Sequence, residues 1–303
     1  MQAEERAGYL HGVAAYALWG LFPLYFALFA RSSALEVVSH RIVWSLVLCL
    51  ILLVATRRVD ELRAALADRR SALLIATAGL LVGVNWTLYV HGVNTGHTLD
   101  AAIGYFVNPL VTTALGVVVL GERLRAVQWL AVGLGCVAML VLVVGHGQVP
   151  WIALGVAVTF GLYGLLKKQS GARVRPLPGL AIETAALSLL ALPHLLLLGL
   201  GGGASAPVMS WYTLLLATTG VVTAVPLLLF ASATRRIPLV AVGMIQYLAP
   251  VLQFLLGWLV LGEPMPPARW VGFVFVWLAV LVFAWDAVTH AARTLRAVRG
   301  GEG

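Results

Sequence analysis

The sequence predicts an all-α membrane protein, with ten transmembrane helices arranged as two inverted five-helix repeats. Three observations predict it: ten apolar runs of spanning length, basic residues gathered on one side of those runs, and residues that recur at a single offset.

The chain has 303 residues, of which 61% are hydrophobic and 11% charged. A soluble domain carries about 25% charged residues. The apolar runs fall at 8–30, 34–55, 71–91, 98–120, 125–144, 151–167, 178–199, 209–232, 238–261 and 268–290. Most reach the ~20 residues that a helix needs to cross the hydrocarbon core. The connections are short and leave no room for a soluble domain. Backbone polar groups in hydrocarbon must be satisfied within their own segment, so the runs are read as helices.

Charge gives the orientation. With the N-terminus inside, the inside segments carry Arg6, then Arg57, Arg58, Arg63, Arg69 and Arg70, then Arg123 and Arg125. They continue with Lys167, Lys168, Arg173 and Arg175, then Arg235 and Arg236, then Arg293, Arg296 and Arg299. Only Arg31 and Arg269 fall outside, and Arg41 lies within a span. This positive-inside bias predicts both termini on the cytoplasmic side. The net charge of +8 therefore reports topology, not a nucleic-acid partner. Ala15 and Ala17 resemble a cleavage site but lie inside the first run, so that run is read as retained. Cys49 and Cys136 fall mid-span and are read as packing residues, with no disulfide or metal site.

The halves repeat. "LGE" at 120–122 recurs at 261–263, so Glu263 follows Glu122 by 141 residues. The same offset carries Pro109 onto Pro250, Gly116 onto Gly257, Trp129 onto Trp270, Gly79 onto Gly220 and Gly20 onto Gly161, and sets Trp19 opposite Phe160. The repeats are expected over 8–144 and 151–290. Each holds five spans, an odd number, so the second enters the membrane inverted. Secondary transporters commonly share this plan, with the substrate held between the repeats. Pro109 and Pro250 each free the carbonyl four residues earlier, on Tyr105 and Gln246. They are candidate hinges, or kinks that serve packing alone. Pro23, Pro193 and Pro226 interrupt three further spans.

The apolar spans carry isolated polar and aromatic groups. In the second, Glu36, His40, Arg41 and Trp44 share an arc of about 140° at 100° per residue. A charge in mid-bilayer is costly, so this face is read as turned from lipid. Glu36 fits a helix-start carboxylate, and Arg41 either snorkels or faces a wet cavity. The third span offers Asn85, Trp86, Tyr89 and His91, and the fourth Asp100, Tyr105 and Asn108. The sixth offers Tyr163 and Lys167, the seventh Glu183, the eighth Thr223, and the ninth Gln246 and Tyr247. Trp19 lies mid-span, away from the interfacial belts. Each has a structural alternative: Asn85 as a helix-to-helix bond, Trp86 as core, Asp100 as a cap, Glu122 and Glu263 as turn or cap residues, and Lys167 and Lys168 as topology charges. The fifth and tenth spans are apolar apart from their ends and are candidates for peripheral or dimer-facing positions.

No P-loop, no HExxH and no paired Cys/His spacing occurs, and no Ser or Cys sits in a nucleophile elbow. No cofactor is expected, and the chain is not read as an enzyme.

"AYALWGLFPLYF", "HRIVWS", "NWTLYVHGVNTGHTLDAAIGYFVNPL", "FGLYGLLKK", "VVTAVPLLLFASATRRIPL" and "GMIQYLAPVLQFLLGWLVLGE" resemble RarD-type members of the EamA family, in the drug/metabolite transporter superfamily. The resemblance runs from about residue 8 to 286. His91 stands where that family often has an aromatic residue. The resemblance implies two EamA repeats, a bacterial inner-membrane location, and export of a small organic metabolite or drug, amphenicol-like compounds among them. The expected substrate cavity comprises Trp19, His40, Arg41, Asn85, Trp86, Tyr89, Tyr105, Asn108, Tyr163, Gln246 and Tyr247. Aromatic residues would supply contact area, and Arg41 would meet a substrate carboxylate. His40, Glu36 and Glu183 are the candidates for proton coupling. A passive facilitator or channel and a non-transporting membrane sensor are the alternatives.

Overall fold

The computed structural model describes residues 2–120, 126–146, 149–170, 174–205, 210–234, 236, 245–267, 270–279, 281–282 and 285. Among them every regular element is helical. Five helices are long and apolar enough to cross a membrane, and the shorter apolar helices Trp151–Tyr163, Leu248–Val260 and Trp270–Ala279 accompany them.

Each expected span coincides with a helix. The first is Gln2–Gly20, continued after a turn at Leu21 as Phe22–Ala27. The second is Ala34–Ala55, the third Arg69–Asn94, the fourth Thr98–Leu120 and the fifth Ala126–His146. The sixth is Trp151–Ser170, the seventh Pro176–Leu200 and the eighth Trp211–Thr234. The ninth is Leu248–Leu255, drawn out into a π-helical turn over Leu256–Val260, and the tenth is described over Trp270–Ala279. The entries to the ninth and tenth spans, at 238–244 and 268–269, lie outside the described residues, as does Glu122.

One helix was not expected. Val59–Ala67 lies between the second and third spans, too short to cross a membrane. Arg175, at the start of the seventh span, donates to Glu61 on this helix at 2.7 Å and ties it down.

The repeat is visible in the packing. A Cβ on Gly20 would lie 2.6 Å from the Leu252 side chain, and one on Gly161 would lie 2.9 Å from that of Val111. Gly20 corresponds to Gly161, and Val111 to Leu252, at the one offset of 141. The first span thus meets the ninth as the sixth meets the fourth, each through a glycine. Gly79 and Gly220 form a second matched pair. A Cβ on Gly79 would lie 3.0 Å from the Glu183 carbonyl oxygen, and one on Gly220 would lie 2.5 Å from the Trp44 carbonyl carbon. Here the backbones of the third and seventh helices, and of the eighth and second, approach as small residues permit.

The matched helices differ in course. The first span breaks at Leu21, whereas the sixth runs unbroken through the corresponding Leu162. The ninth has a turn at Tyr247, whereas the fourth runs unbroken through Phe106. Pro250 therefore sits in the first turn of its helix, while Pro109 lies inside a continuous helix; the Pro109 side chain is outside the described residues. Pro193 and Pro226 are also contained in unbroken helices.

Candidate functional site

A cavity of ≈ 190 Å³ lies between the two repeats. Nine of its seventeen lining residues are aromatic. Five pairs of them occupy matched positions in the two repeats: Trp19 with Phe160, Phe22 with Tyr163, Trp86 with Leu227, Tyr89 with Phe230, and Tyr105 with Gln246. Both repeats thus build one wall from the same positions. The rings hold one another edge-on: Tyr105 meets Phe160 at 5.8 Å and 87°, and Tyr16 meets Phe230 at 6.0 Å and 83°.

Charge breaks this symmetry. Arg41 lines the cavity, and its counterpart is Ile182. Glu183 lines it from the other repeat, and its counterpart is Ile42. Each lies about two turns in from the N-terminus of its own helix. Arg41 is 3% exposed, donates Nε–H to Thr223 Oγ1 at 2.6 Å, and lies 4.1 Å from the centre of the Trp86 ring. Phe26 and Phe22 stand at 5.4 and 5.5 Å. Thr223 passes its own hydroxyl hydrogen to the Thr219 carbonyl at 2.8 Å, which leaves its oxygen to accept from Arg41. Glu183 accepts from the Tyr163 hydroxyl at 3.5 Å.

Trp19, Arg41, Trp86, Tyr89, Tyr105, Tyr163 and Gln246 all border the cavity, as does Glu183. Asn85, Asn108, His40 and Tyr247 do not. Asn85 stands one layer behind, fully buried. It donates to the Val156 carbonyl at 2.9 Å and to Thr159 Oγ1 at 3.0 Å, and accepts from the Tyr105 hydroxyl at 3.0 Å. Asn108 donates to the Ala157 carbonyl at 3.1 Å and binds the fourth helix to the sixth. Tyr247 packs instead against the hydrophobic cluster that holds Leu99, Ile103 and Phe106. His40 is half-buried, and its Nδ1 has no hydrogen-bond partner among the described residues.

Glu36 has a different task from Arg41, although one arc of the helix carries both. Its amide is capped by Ser33 Oγ at 3.1 Å, and its Oε1 accepts from the Ser205 amide at 2.9 Å and the Ser205 hydroxyl at 2.8 Å. Ser32 and Tyr212 extend this network at 2.6 and 2.7 Å. The network ties the segment after the seventh helix to the start of the second.

Gln253 belongs to the wall, although sequence reasoning passed over it. Pro23 has no N–H, so the Trp19 carbonyl lacks its helical donor. Gln253 Nε2 donates to that carbonyl at 3.1 Å instead. The signal was present, since Gln253 follows Gln246 by seven residues, two turns further along the same apolar span. Phe230 was legible too, as the 141-residue counterpart of Tyr89, and Tyr16 lies one turn before Trp19.

A ten-helix bundle of two inverted repeats enclosing an aromatic cavity is the form of a membrane transporter. Residues 6–144 and 149–285 each match the EamA-like transporter family, and the chain belongs to that family. It is 48% identical over 96% of its length to a protein RarD of Streptomyces exfoliatus, covering 92% of that protein. It is 33% identical over 95% of its length to a chloramphenicol-sensitive protein RarD of Pseudomonas aeruginosa, covering 96% of it. One crystal structure, 21% identical, superposes with a TM-score of 0.59 over 94% of this chain and 98% of the other, a likeness of fold.

Proposed function

We propose that this protein is a secondary transporter that exports a small organic metabolite or drug by alternating access. The carrying observation is the cavity itself, walled by five matched residue pairs from two inverted repeats. Such a wall can open toward either side when the repeats move against each other. The basic residues on one set of loops favour a bacterial inner-membrane location with both termini cytoplasmic. Glu183, on the wall, is the stronger candidate for proton coupling; His40 and Glu36 stand off it. The outward faces of the fifth and tenth helices, where Trp129 and Leu281 are exposed, meet lipid or a second copy.

Uptake into proteoliposomes tests this reading. Vesicles receive a cell metabolite extract with amphenicols added, under an imposed pH gradient, and trapped solutes are identified by mass spectrometry. Accumulation of a solute class above empty liposomes is expected. Downhill flux without counterflow would make the protein a passive facilitator. No protein-dependent uptake under several gradients would overturn the reading and favour a sensor.

A further inference from the structure

We infer that the cavity is built for a small aromatic monocarboxylate that also carries a hydrogen-bond donor. The inference rests on the transporter reading and names the substrate class of that same site.

Arg41 is the first ground. Its Nε–H is committed to Thr223, and among the described residues no carboxylate pairs with it. A buried cation costs more to desolvate than the face of a ring returns. The Trp86, Phe22 and Phe26 rings therefore orient the guanidinium without neutralising it. Its two terminal nitrogens have no acceptor among the described residues, and Arg41 borders the cavity. That fork of parallel N–H groups matches the two oxygens of a carboxylate.

Two unpartnered polar atoms on the same wall are the second ground. The Tyr89 hydroxyl is buried without a hydrogen-bond partner among the described residues, and so is Gln253 Oε1. Tyr89 follows Trp86 by three residues, on the same helix face as the ring under Arg41. Its O–H is a donor for a carboxylate oxygen. Gln253 has its amide orientation fixed, because the Trp19 carbonyl can only accept, so Nε2 faces Trp19 and Oε1 is left as an acceptor. It asks for a donor on the ligand.

Size and charge narrow the class. The volume of ≈ 190 Å³ falls below the ~300–1,000 Å³ of sites for drug-sized ligands. It fits one ring with a short side chain and favours a metabolite over a drug. Aromatic residues on both repeats clasp that ring. One guanidinium fork on the wall matches one carboxylate, so a monoanion is preferred to a dicarboxylate.

Binding to the purified full-length protein in detergent, followed by isothermal calorimetry, tests the inference. The probes are 3-(4-hydroxyphenyl)propionate, its neutral amide, 3-phenylpropionate, which lacks the donor, and phenyl phosphate. The hydroxylated acid is expected to bind at least tenfold tighter than its amide or the phosphate, and severalfold tighter than the acid without the hydroxyl. Arg41→Gln is expected to remove that preference, and Arg41→Lys to restore it only in part. Tyr89→Phe should weaken the acid severalfold and leave the amide unchanged. If Arg41→Gln does not fold, the acid-to-amide ratio on the unaltered protein and the Tyr89→Phe variant decide. Equal binding of acid and amide, equal binding of phenyl phosphate, or retention of the acid by a folded Arg41→Gln protein would each overturn the inference. The same preparation in proteoliposomes separates the two readings. Uptake of other solutes with no acid binding sinks this inference alone, whereas no uptake of any solute sinks the transporter reading beneath it.

Discussion

Glu263, in the second repeat, accepts the backbone amides of Thr98 and Leu99 in the first, at 2.6 and 2.9 Å. The first amides of a helix lack partners within it, and a carboxylate there also meets the positive end of the helix dipole. The second "LGE" thus ends in a cap supplied to the other half of the chain. Replacing Glu263 with Ala should cost about 1–3 kcal/mol, with Glu263→Gln losing less. Thermal unfolding in detergent reads this directly, and an unchanged midpoint for Glu263→Ala would count against the cap.

The matched glycines give a second prediction. A methyl group on Gly220 would meet the Trp44 backbone, which cannot give way as a side-chain tip can. Gly220→Ala should therefore lower the unfolding midpoint, and Gly79→Ala, against the Glu183 backbone, should do so less steeply. A Cβ on Gly133 meets nothing within 4 Å. Gly133→Ala should be neutral or stabilise by up to about 1 kcal/mol. Equal effects at all three sites would contradict the close approach of these backbones.

Asn85 holds Tyr105 in place from behind the wall. Asn85→Ala removes three hydrogen bonds and should cost about 1–3 kcal/mol. It should also weaken solute affinity, because the Tyr105 ring loses its anchor. Tyr105→Phe keeps the ring and drops one bond, so its effect should be smaller on both measures. An Asn85→Ala protein with unaltered KM for uptake would show that the bond does not position the ring.

The contact between Glu36 and Ser205 should restrain the loop that follows the seventh helix. Glu36→Ala removes the acceptor of both the Ser205 amide and its hydroxyl. Amide exchange over 201–205 should quicken by about tenfold or more. Hydrogen-exchange mass spectrometry resolves that segment, and unchanged exchange would mean the loop is held by other contacts.

Much of this was legible in the sequence, for identifiable reasons. Apolar length located the spans, and the offset paired Trp19 with Phe160 and Tyr105 with Gln246 before any contact was known, while the other three wall pairs emerge only once the cavity is seen. Trp19 and Tyr105 face one cavity because their counterparts, Phe160 and Gln246, do. Helical periodicity put Glu36 and Arg41 on one arc, but five residues of rise set them about 7.5 Å apart along the axis. Their partners, Ser205 and Thr223, lie on other helices and loops that no local pattern could name. Asn108 and Tyr247 had the right residue types and the wrong azimuth, because a helix between two neighbours buries polar groups on both faces. The helix Val59–Ala67 was hidden by Asp60, Glu61 and Arg63 and by the arginines on either side, which read as loop charge.

The unequal bends of the matched helices carry a last consequence. The two helices that break, the first and the ninth, touch each other at Gly20 and Leu252. The two that run unbroken, the sixth and the fourth, touch at Gly161 and Val111. One body thus holds two copies of a joint, one interrupted and one continuous. A carrier that faces each side of a membrane in turn needs a second shape, and a duplicated joint supplies it as the exchange of the first.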